Sequence, residues 1–139
     1  MLEIERVIRR LKRWVQDKPD ILAVGYVGSW ARGEAGPDSD LDLIILTADP
    51  EIYLNDPKWL SEFGEVREVK REDWGPVQTR RAFYQDGSEI EFNFTTKDWA
   101  KINPLDEGTV RPVSDGLKII YDPAQLLRKL EEAVKLRRT

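Results

Sequence analysis

Residues 39–47, SDLDLIILT, constrain the fold of this chain more than any other stretch. Strand alternation sets Asp40, Asp42, Ile44 and Leu46 on one face and Leu41, Leu43 and Ile45 on the other. Both faces are largely apolar, so this is a central strand of a sheet covered on both sides. Helices for that cover are legible at both ends of the chain. Leu2 to Asp17 reads as an amphipathic helix: Ile4, Val7, Ile8, Leu11, Trp14 and Val15 share a stripe, Arg6, Arg9, Arg10 and Arg13 lie mostly off it, and Pro19 stops it. At the other end, Pro123 opens an amphipathic helix carrying Leu126, Leu127, Leu130, Ala133 and Val134.

Between these helices the pattern is mainly that of strands. ILAVGYV, residues 21–27, is a short β-rich run ending in Gly28 and Ser29, after which a short helix is expected, closed by Ala35, Gly36 and Pro37. Residues 50–63 hold helical turns, and 64–73 carry an irregular strand signal. VQTRRAFYQ and SEIEFNFT flank Asp86 and Gly87, a tight-hairpin signal. A loop of those two residues places Ala82 opposite Glu91 and Arg80 opposite Asn93. After a polar stretch with Pro104, Gly108 and Pro112, LKIIYD adds one more strand. The expectation is an α/β (α+β) chain forming one domain over residues 1–139, without internal repeats.

Composition narrows the chemistry. The 139 residues include no cysteine and no histidine, which excludes thiol nucleophiles, Ser-His-Asp triads, phosphohistidine chemistry and the usual zinc sites. Carboxylates, hydroxyls, cations and backbone amides remain. A net charge of −4 argues against general nucleic-acid binding, which needs a broad basic field. No apolar run approaches the ~18 residues of a membrane span, and the charged start MLEIERVIRR lacks a signal peptide's hydrophobic stretch, so a cytoplasmic, soluble protein is expected.

Asp40 and Asp42 share a face of an otherwise apolar strand, where two carboxylates are costly unless something pairs with them. A divalent cation is a natural partner, since converging carboxylates offer hard oxygen ligands to Mg2+. Gly28 lets backbone approach a ligand closely, Ser29 offers a hydroxyl and an amide, and a helix beginning there aims free amides at an anion. Triphosphate plus Mg2+ suits this layout, although the segment matches neither GxxxxGK[ST] nor GxGxxG.

The run GSWARGEAGPDSDLDLIIL resembles the signature of the polymerase β-like nucleotidyltransferase superfamily: Gly-Ser, a spacer, then apolar-Asp-apolar-Asp-apolar. It is similar in detail to small bacterial members, the minimal nucleotidyltransferases and aminoglycoside adenylyltransferase-like proteins, which often carry Ala-Arg-Gly after the Gly-Ser, as Ala31, Arg32 and Gly33 do here. The resemblance implies a mixed central sheet of about five strands flanked by helices. It implies transfer of a nucleoside monophosphate, AMP from ATP in this family, to the hydroxyl of a small-molecule acceptor with release of pyrophosphate.

It also implies a third carboxylate from a later strand. Glu91, between Ile90 and Phe92, fits best, because it is centred in the apolar run and faces small Ala82 in the register above. Glu89 shares that face and competes for the role. Asp40, Asp42 and Glu91 would hold two Mg2+ ions. Gly28, Ser29, Arg32 and Arg80 are the candidates for the triphosphate, with a surface arginine and an ion pair as the plainer readings of Arg32 and Arg80. With no histidine, the acceptor proton leaves through Glu91, Glu89, hydroxide or solvent. Trp30 either stacks on a base or, more in keeping with a helix start, packs. Larger relatives bind the acceptor on an added helical region that this length leaves little room for. A second copy meeting the apolar stripes of the terminal helices, or an antitoxin-like partnership with a helical protein that is itself AMP-modified, would complete such a cleft.

Overall fold

A computed structural model describes residues 2–138. Six strands form one sheet in the order β3-β4-β5-β2-β1-β6. They are β1 (Ile21–Val27), β2 (Leu41–Thr47), β3 (Val66–Trp74), β4 (Val77–Tyr84), β5 (Glu89–Thr95) and β6 (Lys118–Tyr121). Neighbours are antiparallel except β2 and β5, which run parallel at the centre. The irregular 64–73 signal is thus a full edge strand, so the sheet has one strand more than expected.

SDLDLIILT behaves as its alternation requires. Leu41, Leu43 and Ile45 enter one core cluster, and Ile44 and Leu46 enter the other. The first cluster is covered by α1 (Ile4–Trp14), which continues as a 3-10 turn to Asp17, and by helical turns between β2 and β3. Val7, Leu11, Trp14 and Val15 of the first stripe are buried. The helices between β1 and β3 are α2 (Ser29–Arg32), α3 (Glu51–Asn55) and a 3-10 segment Pro57–Phe63. Around Tyr53 the rings interlock: its ring stacks on Phe94 at 5.0 Å, and Trp59 meets Phe92 edge-on at 4.8 Å. Trp59, partly exposed, packs against this core, and its indole N–H donates to the Tyr53 carbonyl at 2.9 Å.

The second cluster lies under α4 (Glu107–Asp115) and α5 (Leu126–Arg138), with Val113, Leu127, Leu130 and Val134 packed on Ala23, Ile44 and Leu46. Helix α4 falls in the stretch that Gly108 and Pro112 made look like loop. Its N-cap is Asp106, whose carboxylate accepts from Gly108 N–H at 2.8 Å. Helix α5 starts later than Pro123 suggests. Asp122 accepts from the N–H groups of Leu127 at 3.2 Å and Arg128 at 2.9 Å, reaching over the turn that holds Pro123. Asp122→Ala leaves these donors without that acceptor and is expected to lower stability by about 1 kcal/mol in urea unfolding. Both terminal helices turn the buried part of their apolar stripes onto this sheet. Among the described residues no helix is long and apolar enough to cross a membrane.

Candidate active site

Hairpin geometry decides which arginine reaches the carboxylates. Tyr84 N–H donates to Ser88 O at 2.9 Å and Gly87 N–H to Tyr84 O at 3.0 Å, so the β4–β5 loop is Gln85, Asp86 and Gly87, with Gly87 at φ 89°. That is a three-residue loop with glycine in the left-handed position, not the two-residue turn. The register moves by one: Arg81 faces Glu91, Ala82 faces Ile90 and Arg80 faces Phe92. Since side chains alternate, Arg80 leaves the face of Glu91 altogether. Its guanidinium donates to the Leu54 carbonyl, its Nε is buried without a partner among the described residues, and burial, with Arg71 adding to it, lowers its pKa. The register that set Arg80 on the face of Glu91 is thereby corrected, and Arg81 is the arginine that faces the carboxylates.

The three expected carboxylates do converge. Asp42 and Glu91 are direct partners across the parallel β2–β5 pair, and Asp40 stands just before β2. One oxygen from each of Asp40, Asp42 and Glu91 lies within 4.8 Å of the others. Three hard oxygen donors at that spacing fit a divalent cation such as Mg2+. Glu89 is on the same face but pairs with Arg81 at 2.5 Å, outside this group. Placing Glu91 opposite Ala82 was the wrong reason for preferring it; what sets it apart is the parallel alignment with Asp42.

Burial raises the pKa of Glu91 to about 9, with a hydrogen bond to Asp42 and the charge of that carboxylate acting in the same direction. Asp42 is raised too, first by burial. Arg81 pairs with Asp40 at 3.4 Å, Glu72 at 3.1 Å, Glu89 and Glu91. Burial alone would lower its pKa, but Glu72, Glu89 and Glu91 outweigh that and hold it above its usual value.

Gly28 is built against this group. It has φ 78° and ψ −158°, and a Cβ there would lie 2.4 Å from Asp42 Oδ2. The chain can pass so close only without a side chain. Ser29 then starts the single turn α2, which Gly33 ends in the left-handed conformation with Glu34 N–H donating to Ser29 O at 2.9 Å. The stop comes earlier than Ala35. Arg32 is on this turn, its Nε 3.4 Å from Glu34. Trp30 packs against the larger core cluster, and its indole nitrogen has no partner among the described residues.

Helices α4 and α5 cover β1 and β2, and no residue of β3, β4 or β5 belongs to the cluster beneath them. The carboxylates therefore sit where covered sheet gives way to a polar face formed by Glu72, Arg81, Glu89 and Asn93.

Among solved structures, the chain is similar to an aminoglycoside 6-adenyltransferase from Bacillus subtilis, with a TM-score of 0.55 and 14% identity over 73% of this chain and 38% of that one. It is also similar to a nucleotidyltransferase-like protein from Exiguobacterium sibiricum, with a TM-score of 0.50 and 17% identity over 95% of this chain and 38% of that one. At these identities the likeness is one of fold. A curated protein of Methanocaldococcus jannaschii named "Putative protein adenylyltransferase" is 35% identical over 43 residues, 31% of this chain and 43% of that protein. The chain thus spans less than half the length of each of these relatives. The family model described as "Nucleotidyltransferase domain" matches residues 7–86, which take in Gly28, Ser29, Asp40 and Asp42 and stop short of Glu91, so the third carboxylate rests on geometry alone. With more than half of its residues in that match, the chain belongs to the nucleotidyltransferase domain family.

Proposed function

We propose that this chain is a magnesium-dependent nucleotidyltransferase that moves a nucleoside monophosphate, AMP from ATP, onto a hydroxyl and releases pyrophosphate. The observation that carries this reading is the convergence of Asp40, Asp42 and Glu91 from two paired strands and the turn before them. Mg2+ held there supplies Lewis acidity to the triphosphate and to the attacking hydroxyl.

The chain's own groups have separable roles. Gly28 brings backbone against Asp42, and Ser29 offers its hydroxyl and amide to the phosphates at the start of α2. Arg32, one turn on, is the cation on the phosphate side and must leave Glu34 to reach a ligand. Glu91, nearest the open outer strands, is the carboxylate that would take the acceptor's proton, directly or through solvent. Trp74, Val77, Thr95 and Trp99 line a hollow at the far end of β4 and β5, so an acceptor seated there has to be long enough to reach back to Glu91. Thr95 is four residues along β5 from Glu91, roughly 13 Å at about 3.3 Å per residue.

A hydroxyl on a small molecule is the first acceptor class. The name of the M. jannaschii relative favours a second reading, a hydroxyl side chain on a partner protein. Incubation with Mg2+, each labelled nucleoside triphosphate, a panel of small acceptors and a lysate tests both. Label on a small acceptor supports the first, label on a protein band the second. Release of no pyrophosphate with any triphosphate sinks the proposal.

A further inference from the structure

Arg81 stands where a metal ion has to go. Its guanidinium pairs with Asp40 and Glu91, two of the three carboxylates proposed as metal ligands, and also with Glu72 and Glu89, which lie outside that group. The second pair is laid out symmetrically about it. Arg81 faces Lys70 on β3 and Glu91 on β5, so Glu72 and Glu89 are its diagonal neighbours on either side, on the same face. A guanidinium has five donors in a planar fork and can share four carboxylates, which an ammonium cannot match geometrically. Only 20% of the Arg81 side chain is exposed, so these attractions are weakly screened. A divalent cation and a guanidinium cannot both sit against the same oxygens of Asp40 and Glu91.

We infer that Arg81 is a built-in counter-ion that competes with the divalent metal for Asp40 and Glu91, and that Glu72 and Glu89 are the seat to which it withdraws when metal binds. The inference rests on the metal site of the proposed function. Arg81 is then a positioning residue: it holds the ligand carboxylates together in the metal-free protein and sets how much free metal is needed to load them. Glu72, which touches no proposed ligand position, acquires an effect on metal affinity through Arg81.

The test is Mn2+ binding to the full chain, followed by electron paramagnetic resonance and calorimetry, so that no turnover is required. Arg81→Gln is expected to tighten Mn2+ binding about tenfold, the scale of one charge-assisted hydrogen bond. Glu72→Gln is expected to weaken binding several-fold, because Arg81 then leans on Asp40 and Glu91. In the Arg81→Gln background the same Glu72→Gln change should lose most of its effect, which separates this role from simple loss of a nearby negative charge. Arg81→Lys, which keeps the charge without the fork, should fall between wild type and Arg81→Gln, and it replaces Arg81→Gln if that variant does not fold. Unchanged or weaker Mn2+ binding in the Arg81 variants, or a Glu72→Gln effect that persists without Arg81, overturns the inference while leaving the metal site standing. Absence of Mn2+ binding in wild type and variants alike overturns both.

Discussion

Replacing Asp42 by Asn should leave the sheet folded and cut nucleotidyl transfer by about 1,000-fold or more, the scale of losing one preorganised electrostatic group. The side chain keeps its size, and the apolar residues of β2 that hold the two cores are untouched. What disappears is one of the three oxygens gathered for a cation. The stability of the same variant should move the other way. Without metal, Asp42 is a half-buried carboxylate whose charged form burial disfavours, and a neutral amide of the same size should raise the melting temperature in EDTA, the usual direction when a strained site is relaxed.

Glu91→Gln extends this to pH. The folded-state pKa of Glu91, about 9, is above its ordinary 4.5. A group raised in this way contributes its stability below about pH 4.5 and loses it as pH climbs through about 9. The metal-free wild type should therefore weaken over that window while Glu91→Gln does not, and the gap between their melting temperatures should be wider at pH 9 than at pH 5. A gap that narrows with rising pH contradicts the burial of Glu91 as a protonated partner of Asp42.

The second large effect is expected at Gly28. Its backbone angles belong almost exclusively to glycine, which costs another residue on the order of 1–3 kcal/mol, and a Cβ would also meet Asp42 Oδ2 at 2.4 Å. Gly28→Ala should lose about 2 kcal/mol or more in urea unfolding. It should also weaken Mn2+ binding, because the group displaced is the Asp42 carboxylate. Gly36→Ala is the matched control. A Cβ at Gly36 meets nothing within 4 Å, and that variant should stay within about 0.5 kcal/mol of wild type. Equal behaviour of the two variants would mean that the close approach at Gly28 has no bearing on the site.

The difference between what the residues disclose and what they conceal is physical. Asp40 and Asp42 are legible because β2 is apolar on both faces, so a charge within it and another at its start need a reason to be there. The terminal helices are legible because their stripes are long. Helix α4 is concealed by Gly108 and Pro112, residues that punctuate loops more often than helices. The arginine error has a single cause. Arg80 and Arg81 are adjacent and chemically identical, and which one faces Glu91 depends on whether the loop holds two residues or three. Gly87 at positive φ suits either loop, so the D-G pair could not decide. Arg81, with its four carboxylate partners, was invisible until the register was known.

The lone parallel contact in the sheet gives the site an assembly order. β1 and β2 are antiparallel neighbours, and β3, β4 and β5 are joined by tight hairpins, so each group can pair through contacts close in sequence. Neither group alone holds Asp42 beside Glu91. Those two meet only when the groups dock along β2 and β5, the long-range pairing that comes late because its loop must close first. A nascent chain thus keeps its densest negative charge divided between two halves until the apolar faces of β2 and β5 drive them together. A metal ion bound across the seam would fasten the last joint to form, and would slow the first to open.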